Sequence, residues 1–159
     1  MVRGIFIPAS NGLDLEVRDF ERLEDYQAAV NGWIEAVDIP TRGSTLFVNE
    51  EGLIRGLPVN RRATYLWWFH VPEAAGHSRL AGDAVLVGMP DRNGAATDVP
   101  RSVEGRLLTP RSYRIRTREP EGDNWRREPI VREDYFETII WATHLRELSP
   151  TAELRIDEM

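Results

Sequence analysis

The chemistry-bearing side chains of this sequence are most concentrated in one stretch of its first half. Asn49 and Glu50 stand in a predicted turn, and Asn60, Arg61 and Arg62 stand at the predicted start of a helix. Free backbone N–H groups at a helix start and guanidinium groups both donate hydrogen bonds that suit a phosphate or carboxylate. These five residues therefore predict a binding site for a small, nucleotide-like anion.

A structural role explains the same residues without a ligand. Asparagine at the first position of a turn bonds forward to the backbone, and asparagine before a helix caps its first N–H groups. Arg61 and Arg62 could pair with Glu50 and Glu51 and simply fasten the turn to the helix. The residues alone leave both interpretations open.

Catalysis is the less favoured hypothesis, because the sequence contains no complete catalytic constellation. It has no Gly-x-Ser-x-Gly elbow and no glycine-rich phosphate loop. His70, Glu73 and His77 have the spacing of metal ligands on a helix, but a proline between the first two interrupts that helix. We predict no catalytic residue, no metal and no cofactor. A small hydrolase or transferase that uses Glu50 or Asp83 beside the arginines is the alternative.

The second candidate surface is an arginine-bearing strand in the last third of the chain. Within the β-like run that starts at Tyr113, Arg114, Arg116 and Arg118 occupy alternate positions and therefore share one face. We predict these three residues as a partner-binding site, for an acidic protein or for nucleic acid. The alternative pairs them with acidic residues further along the chain, which are Glu119, Glu121, Asp123 and Glu128.

Charge and composition restrict the expected partners. The formal net charge is −6, from 26 acidic and 20 basic residues, and every basic residue is arginine. An acidic total disfavours general nucleic-acid binding, because that affinity comes mainly from neutralised phosphates. We expect a protein partner or a small anionic ligand, with nucleic acid open only through Arg114, Arg116 and Arg118. A homo-oligomer is also left open.

No sequence feature predicts contact with a membrane or an oxidising compartment. There is no cysteine, which excludes disulfides and thiolate metal ligands. The apolar run at the N-terminus is too short for a signal peptide. The longest apolar run, Tyr65 to Phe69, falls far below the roughly 20 residues that cross a bilayer. We therefore predict a cytoplasmic protein.

The elements that must position these residues begin with a hairpin and a helix. Gly4–Ile7 and Leu13–Val17 flank an Asn-Gly turn signal. Apolar residues then recur at spacings of three and four, which predicts one long amphipathic helix. Its stripe consists of Leu23, Tyr26, Val30, Trp33, Ile34 and Val37. Gly32 lies inside this stripe and suggests close approach by a strand.

The central stretch is predicted as strand, turn, strand and helix. Thr45–Val48 has strand character, and the following turn is expected to end at Gly52 in the left-handed conformation. Leu53 and Ile54 would resume an antiparallel partner strand. A helix then starts after Asn60. Its buried face is predicted to contain Ala63, Leu66, Trp67 and His70.

These patterns predict an α+β fold, a mostly antiparallel sheet with two helices packed on it and a C-terminal β/α extension. The predicted divisions are a core domain at 1–89, a loop or linker at 90–100 and an extension at 101–159 that packs on the core. Ala84–Gly88 reads as a buried core strand. In the extension, Tyr113–Thr117 is the arginine-bearing strand, Tyr135–Leu148 a helix and Leu154–Ile156 an edge strand.

One set of motifs links residues 4–88 to a known family. The motifs are Gly-Trp-Ile-Glu at 32–35 after Gln27 and Val30, Val-Asn-Glu-Glu-Gly at 48–52, Gly-Leu-Pro-x-Asn at 56–60, Ala-Thr at 63–64 and Gly-Asp-x-Val-x-Val-Gly at 82–88. On these motifs the chain resembles the domain of unknown function numbered 3846, found in phages, plasmids and actinobacterial genomes. The resemblance implies a small α+β domain of no assigned activity and carries over no catalytic residues.

The resulting functional prediction is a non-enzymatic binding or regulatory module of a phage-like or plasmid-like accessory set. Counter-defence is one form that this function could take. The genomic association comes from the resemblance, whereas the preference for binding over catalysis comes from the residues.

Overall fold

The computed structural model describes residues 1–122 and 124–159, and these residues form two compact units, Met1–Glu104 and Gly105–Met159. Each unit contains its own antiparallel sheet, so the prediction of an α+β fold with antiparallel pairing is confirmed. The predicted number of helices is wrong, because the described residues contain four α-helices. The boundary between the units falls within one of them, α3 (Arg101–Leu108).

The first unit is built on a five-stranded sheet with the order β2-β1-β5-β4-β3. Every neighbouring pair in this sheet is antiparallel. Its elements are β1 (Val2–Ile7), β2 (Glu16–Phe20), α1 (Leu23–Val30), β3 (Ile34–Ile39), β4 (Ser44–Asn49), α2 (Arg61–His70) and β5 (Ala84–Gly88). The predicted opening hairpin is present as β1 and β2, but its second strand begins at Glu16 and not at Leu13. The predicted strands at Thr45–Val48 and Ala84–Gly88 are present as β4 and β5.

Both faces of the three central strands, β1, β5 and β4, are buried, and a helix borders each face. On one face, Phe6, Val85 and Val87 pack with Tyr26 and Val30 of α1 in a single apolar cluster. The opposite face holds side chains that alternate with these along the strands, and its fully buried members include Ile5, Leu46 and Leu86. Helix α2 borders this second face. Its buried residues are Ala63, Thr64, Leu66 and Phe69.

The first helix is shorter than the apolar stripe predicts. Helix α1 ends at Val30, because Asn31 adopts the left-handed conformation at φ 62° and the Gly32 N–H bonds back to Gln27 O at 3.1 Å. The backbone then leaves the helix as β3, which contains Ile34 and Val37. The prediction of one helix through Val37 is therefore wrong. The Asn-Gly pair ends the helix even though the apolar residues continue at helical spacing beyond it.

The segment after β4 is a compact turn and not the start of a second strand. Leu53 and Ile54 lie in this turn and are 55% and 88% exposed, so their prediction as a strand is wrong. Gly52 does not have a positive φ either. A Cβ there would lie 2.6 Å from the Ala81 carbonyl oxygen, so close backbone approach, and not left-handed geometry, requires the glycine.

The second unit is a three-stranded antiparallel sheet with the order β7-β6-β8. Its elements are β6 (Tyr113–Arg118), β7 (Arg126–Arg132), α4 (Tyr135–Leu148) and β8 (Glu153–Glu158). The arginine-bearing strand, the helix and the edge strand are all present as predicted, whereas β7 had no sequence prediction. Asp134 caps α4, since its side chain accepts from the Glu137 N–H at 3.1 Å.

Candidate functional site

The start of helix α2 is fixed by Asn60, which is fully buried. Its Oδ1 accepts from the Ala63 N–H at 3.0 Å, which confirms the predicted N-cap. Its Nδ2 donates to Ile7 O at 2.9 Å and to Gly82 O at 3.0 Å. With these three bonds the amide is fully engaged with backbone, so Asn60 positions the site and does not face a ligand.

The two arginines that follow the cap point to different environments. Arg62 is half-buried, and its guanidinium donates to Pro8 O and Ser10 O at 2.9 Å each, which braces the loop between β1 and β2. Arg61 is exposed and stacks loosely on Tyr65, with 5.7 Å between the guanidinium carbon and the ring centre. One arginine therefore supports the fold and the other faces an open pocket.

That pocket, named here the arginine–aromatic pocket, has a volume of about 510 Å³. It is lined by Asn11, Val59, Arg61, Thr64, Tyr65, Trp68 and Arg79. Tyr65 and Trp68 meet edge to face with ring centres 5.3 Å apart. Trp68 is fixed further, because its indole N–H donates to Ser78 O at 2.8 Å. Two rings and two guanidinium groups thus surround one space.

The segment that carries Arg79 is held against the start of α2 by backbone bonds. The Asn60 N–H donates to Leu80 O at 2.8 Å, and the Gly82 N–H donates to Pro58 O at 2.7 Å. Thr64 Oγ1 accepts from the Leu80 N–H at 3.0 Å. These bonds place Arg79 on the rim of the pocket. Among the described residues, its guanidinium makes no hydrogen bond or ion pair.

Asn49 and Glu50 line a different cavity, of about 460 Å³, which also contains Glu35, Trp67 and Arg79. Asn49 is 5% exposed, and its Nδ2 donates to Val30 O at 3.0 Å and Asn31 O at 3.1 Å. Its Oδ1 accepts from the Glu51 N–H at 2.8 Å, as the turn chemistry predicts. Asn49 therefore ties the end of α1 to the end of β4, and Glu50 supplies a carboxylate to the cavity.

The close approach suggested at Gly32 comes from this same asparagine. A Cβ on Gly32 would lie 2.8 Å from Asn49 Nδ2 and 3.2 Å from an Arg55 guanidinium nitrogen. Asn49 is the last residue of strand β4. A strand therefore does approach Gly32 closely, as predicted, and the contact is made by the side chain of Asn49.

The five predicted ligand residues do not line one pocket. Arg61 lines the arginine–aromatic pocket, Asn49 and Glu50 line the second cavity, and Asn60 and Arg62 bond to backbone carbonyls. Asp83, the other carboxylate considered for catalysis, accepts from the Ala9 N–H at 2.8 Å and fixes a turn. The other residues that line the arginine–aromatic pocket were not predicted as site residues, and these are Asn11, Val59, Thr64, Tyr65, Trp68 and Arg79.

The predicted arginine strand of the second unit is also placed by the structure. Arg116 pairs with Asp157 in a bidentate bridge, and Arg118 pairs with Glu153 at 2.6 Å. Both acids lie on β8, the strand beside β6. The alternative prediction, which paired these arginines with acidic residues of the segment after β6, is therefore wrong for Arg116 and Arg118. Their acidic partners are distant in sequence, but strand pairing places them directly beside β6.

The remaining acids of that segment have other positions. Glu128 pairs with Arg132 at 3.1 Å and accepts from the Trp141 indole N–H at 2.9 Å. Glu119 and Glu121 are exposed, and Asp123 lies outside the described residues.

No group of three or more metal-ligating side chains is found in residues 1–122 and 124–159. Over the same residues, none of the helices has both the length and the apolar character needed to cross a bilayer.

The comparisons with known proteins give one result. The model of the family described as Domain of unknown function (DUF3846) matches residues 3–109, which is more than half of the chain and extends past the motifs at 4–88. No curated protein and no solved structure matches the chain. The chain therefore belongs to the DUF3846 family.

Proposed function

We propose that the first unit is a non-enzymatic binding module that holds a small nucleotide-like anion in the arginine–aromatic pocket. The observation that carries this proposal is the chemistry of the lining: Arg61 and Arg79 beside Tyr65 and Trp68, with no carboxylate among the lining residues. This lining contrasts with the acidic charge of the whole chain, which is −6. A basic, aromatic pocket in an acidic protein favours an anion that also carries a planar ring.

The size and electrostatics of the pocket agree with such a ligand. Its volume of about 510 Å³ falls within the roughly 300–1,000 Å³ of small-molecule sites. Helix α2 has no acidic residue in its first turn, where Arg61 stands. A cation in that position opposes the helix dipole at a cost of about 0.3–1 kcal/mol, and a bound anion would offset this cost.

A nucleotide combines the two groups that this pocket can recognise. Guanidinium groups form charge-assisted hydrogen bonds with phosphate oxygens, often two at a time. The rings of Tyr65 and Trp68 offer apolar surface against which a base can pack. Inorganic phosphate would use only the first of these interactions, and an uncharged nucleoside only the second.

Two alternatives have less support from the contacts. The carboxylates of the second cavity, Glu35 and Glu50, keep a hydrolase or transferase at Glu50 as a hypothesis, but Asp83 is engaged by the Ala9 N–H. A regulatory or counter-defence role in a phage-like or plasmid-like accessory set rests on the family resemblance and adds no residue to the proposal.

Binding can be tested with the full chain and a panel of ribonucleoside mono- and triphosphates, by thermal shift and then by calorimetry. At least one nucleotide should raise the melting temperature more than inorganic phosphate or its nucleoside does. Arg61→Gln and Arg79→Gln should each weaken that nucleotide about tenfold or more, because each removes a charge-assisted hydrogen bond of about 1.5–3 kcal/mol.

The matched control is Arg92→Gln, an exposed arginine that is not among the residues lining either cavity. It should leave the affinity unchanged. Absence of binding across the panel, or equal losses in all three variants, would reject the proposal.

A further inference from the structure

The sheet of the second unit has one face that is dominated by arginine. Pairing register places Arg127 of β7 and Arg155 of β8 directly opposite Arg116 of β6. Arg114 and Arg118 share that face, because they alternate with the buried residues of β6. We name these five residues the arginine face. The other face of the sheet packs on α4, where Tyr113 meets Tyr135 with ring centres 5.4 Å apart.

The row Arg127–Arg116–Arg155 crosses all three strands with like charges side by side. Directly opposed residues on neighbouring strands have Cβ atoms about 4.5–5.5 Å apart, and like charges in such pairs destabilise the sheet. Asp157 and Glu153 neutralise Arg116 and Arg118. Among the described residues, neither Arg127 nor Arg155 has an ion pair, and both are exposed. The face therefore keeps an excess of positive charge.

A tryptophan is held within this set of arginines. Trp125 is half-buried, and its ring centre lies 4.6 Å from the guanidinium carbon of Arg118, 4.7 Å from that of Arg155 and 5.4 Å from that of Arg116. Unpaired bases stack on aromatic rings, such as an indole, and on guanidinium planes. Charge and stacking surface are thus combined in one place.

We propose that the arginine face binds single-stranded nucleic acid, with phosphates beside Arg114, Arg127 and Arg155 and a base stacked on the cluster at Trp125. A basic groove that tracks the backbone together with an aromatic stacking platform is the usual composition of such sites. The arginine face lies on a three-stranded sheet, whereas the major groove of a duplex admits a helix or a two-stranded ribbon. An acidic polypeptide would use the charges but would not need the indole.

The test is fluorescence anisotropy of the full chain with labelled oligothymidine and oligouridine of about 12 nucleotides, a length within the range of single-strand sites. Both should bind at about 50 mM salt and weaken steeply toward 200 mM. A difference between the two oligomers reports a preference between DNA and RNA, which differ here in the sugar and in the thymine methyl group. Trp125→Ala should weaken binding about tenfold, because base stacking is lost.

A second variant keeps the test independent of any effect on folding. Arg127→Gln with Arg155→Gln removes two exposed charges without breaking an ion pair among the described residues. It should reduce the slope of log affinity against log salt by about 0.7 for each lost phosphate contact. The matched control is Arg126→Gln, since register places this exposed arginine opposite Thr117, on the other side of the sheet.

The following outcomes would overturn the inference. One is the absence of binding at low salt, and another is an equal loss of affinity in the control Arg126→Gln. A third is a loss of affinity in Arg61→Gln and Arg79→Gln, which would place the binding site in the first unit. Polyglutamate that binds as tightly as the oligonucleotides, with no effect of Trp125→Ala, would assign the face to an acidic polypeptide. Equal affinity for blunt duplex DNA would also reject a single-strand site.

Discussion

The Nδ2 atom of Asn60 donates a hydrogen bond to the carbonyl oxygen of Ile7 at 2.9 Å. This bond joins the N-cap of α2 to the last residue of β1, at a sequence separation of 53 residues. The second donor bond of the same amide reaches Gly82 O, just before β5. One buried amide therefore sets where α2 begins relative to two strands, and so where Arg61, Tyr65 and Trp68 stand.

Replacing Asn60 should be strongly destabilising. Asn60→Ala removes the cap and leaves buried carbonyl oxygens without a donor, and at about 1 kcal/mol for each group we expect a loss of about 3 kcal/mol. Asn60→Asp keeps the cap acceptor but should be at least as harmful, because it buries a carboxylate beside two carbonyl oxygens. Urea unfolding followed by circular dichroism measures both, with Asn93→Ala on an exposed turn as the control. A loss below about 1 kcal/mol in both variants would contradict the role assigned to this amide.

The two adjacent arginines of α2 should separate stability from binding. Arg62→Ala should lower the free energy of unfolding by about 1–2 kcal/mol, because it removes charged donors from the carbonyls of Pro8 and Ser10. Arg61→Ala should leave stability within about 0.5 kcal/mol, since Arg61 is exposed. Thermal melts of the two single variants give the comparison. The same loss of stability in both would show that Arg61 also supports the fold, and would weaken its assignment to a ligand.

Tyr26→Phe should make the protein more stable. The Tyr26 hydroxyl is buried without a hydrogen-bond partner among the described residues, while its ring stacks on Phe20 at 4.6 Å and meets Phe47 at 4.9 Å. The substitution keeps both ring contacts and removes an unsatisfied polar group, so we expect a gain of about 1 kcal/mol in urea unfolding. A loss of similar size would mean that the hydroxyl is satisfied in solution.

Ionisation of Tyr26 should also make the folded state less stable at high pH. Burial, and then the charges of Asp25 and Asp98, raise the pKa of Tyr26 above its ordinary value. The unfolded chain therefore ionises first, and stability falls as pH rises above about 10. Tyr26→Phe should remove part of this fall, which melts at pH 8 and above would detect.

Asp25, at the start of α1, predicts that the folded state also loses stability in acid. Asp25 Oδ2 accepts from the backbone N–H groups of Glu21 at 2.8 Å and Arg22 at 2.9 Å. The bond from Arg22, followed by that from Glu21, lowers the pKa of Asp25. A lowered pKa stabilises the folded state above the unfolded value of about 3.9, and this contribution is lost as pH falls through the folded value.

Asp25→Asn should therefore melt at a lower temperature than the natural chain at pH 7, and the difference should shrink as pH falls below about 4. Asp14→Asn, at an exposed position, is the control. A melting difference that stays constant across this range would exclude the charged form of Asp25 as its cause.

Most helices and strands could be predicted from the sequence, because the patterns that specify them involve residues close together in the chain. Short β-like runs identified the strands at Thr45–Val48 and Ala84–Gly88, and alternation identified the strand at Tyr113–Thr117. Asn60 is the correctly predicted N-cap of α2. One of the errors occurred where two local signals disagreed. At Asn31 and Gly32 the helix-ending signal overrode an apolar periodicity that fits a helix and a strand alike.

By itself, the sequence determined the α+β class, the cap of α2 and the concentration of arginine on one strand, because each depends on local patterns of residues. It also determined the family, through a set of short motifs. The tertiary structure decided which residues share a site. Long-range backbone bonds brought Arg79 beside Arg61, and strand register set Arg155 and Arg127 against Arg116. Such pairings depend on which strands meet and in what register, and this is fixed only when the buried faces of distant segments pack together.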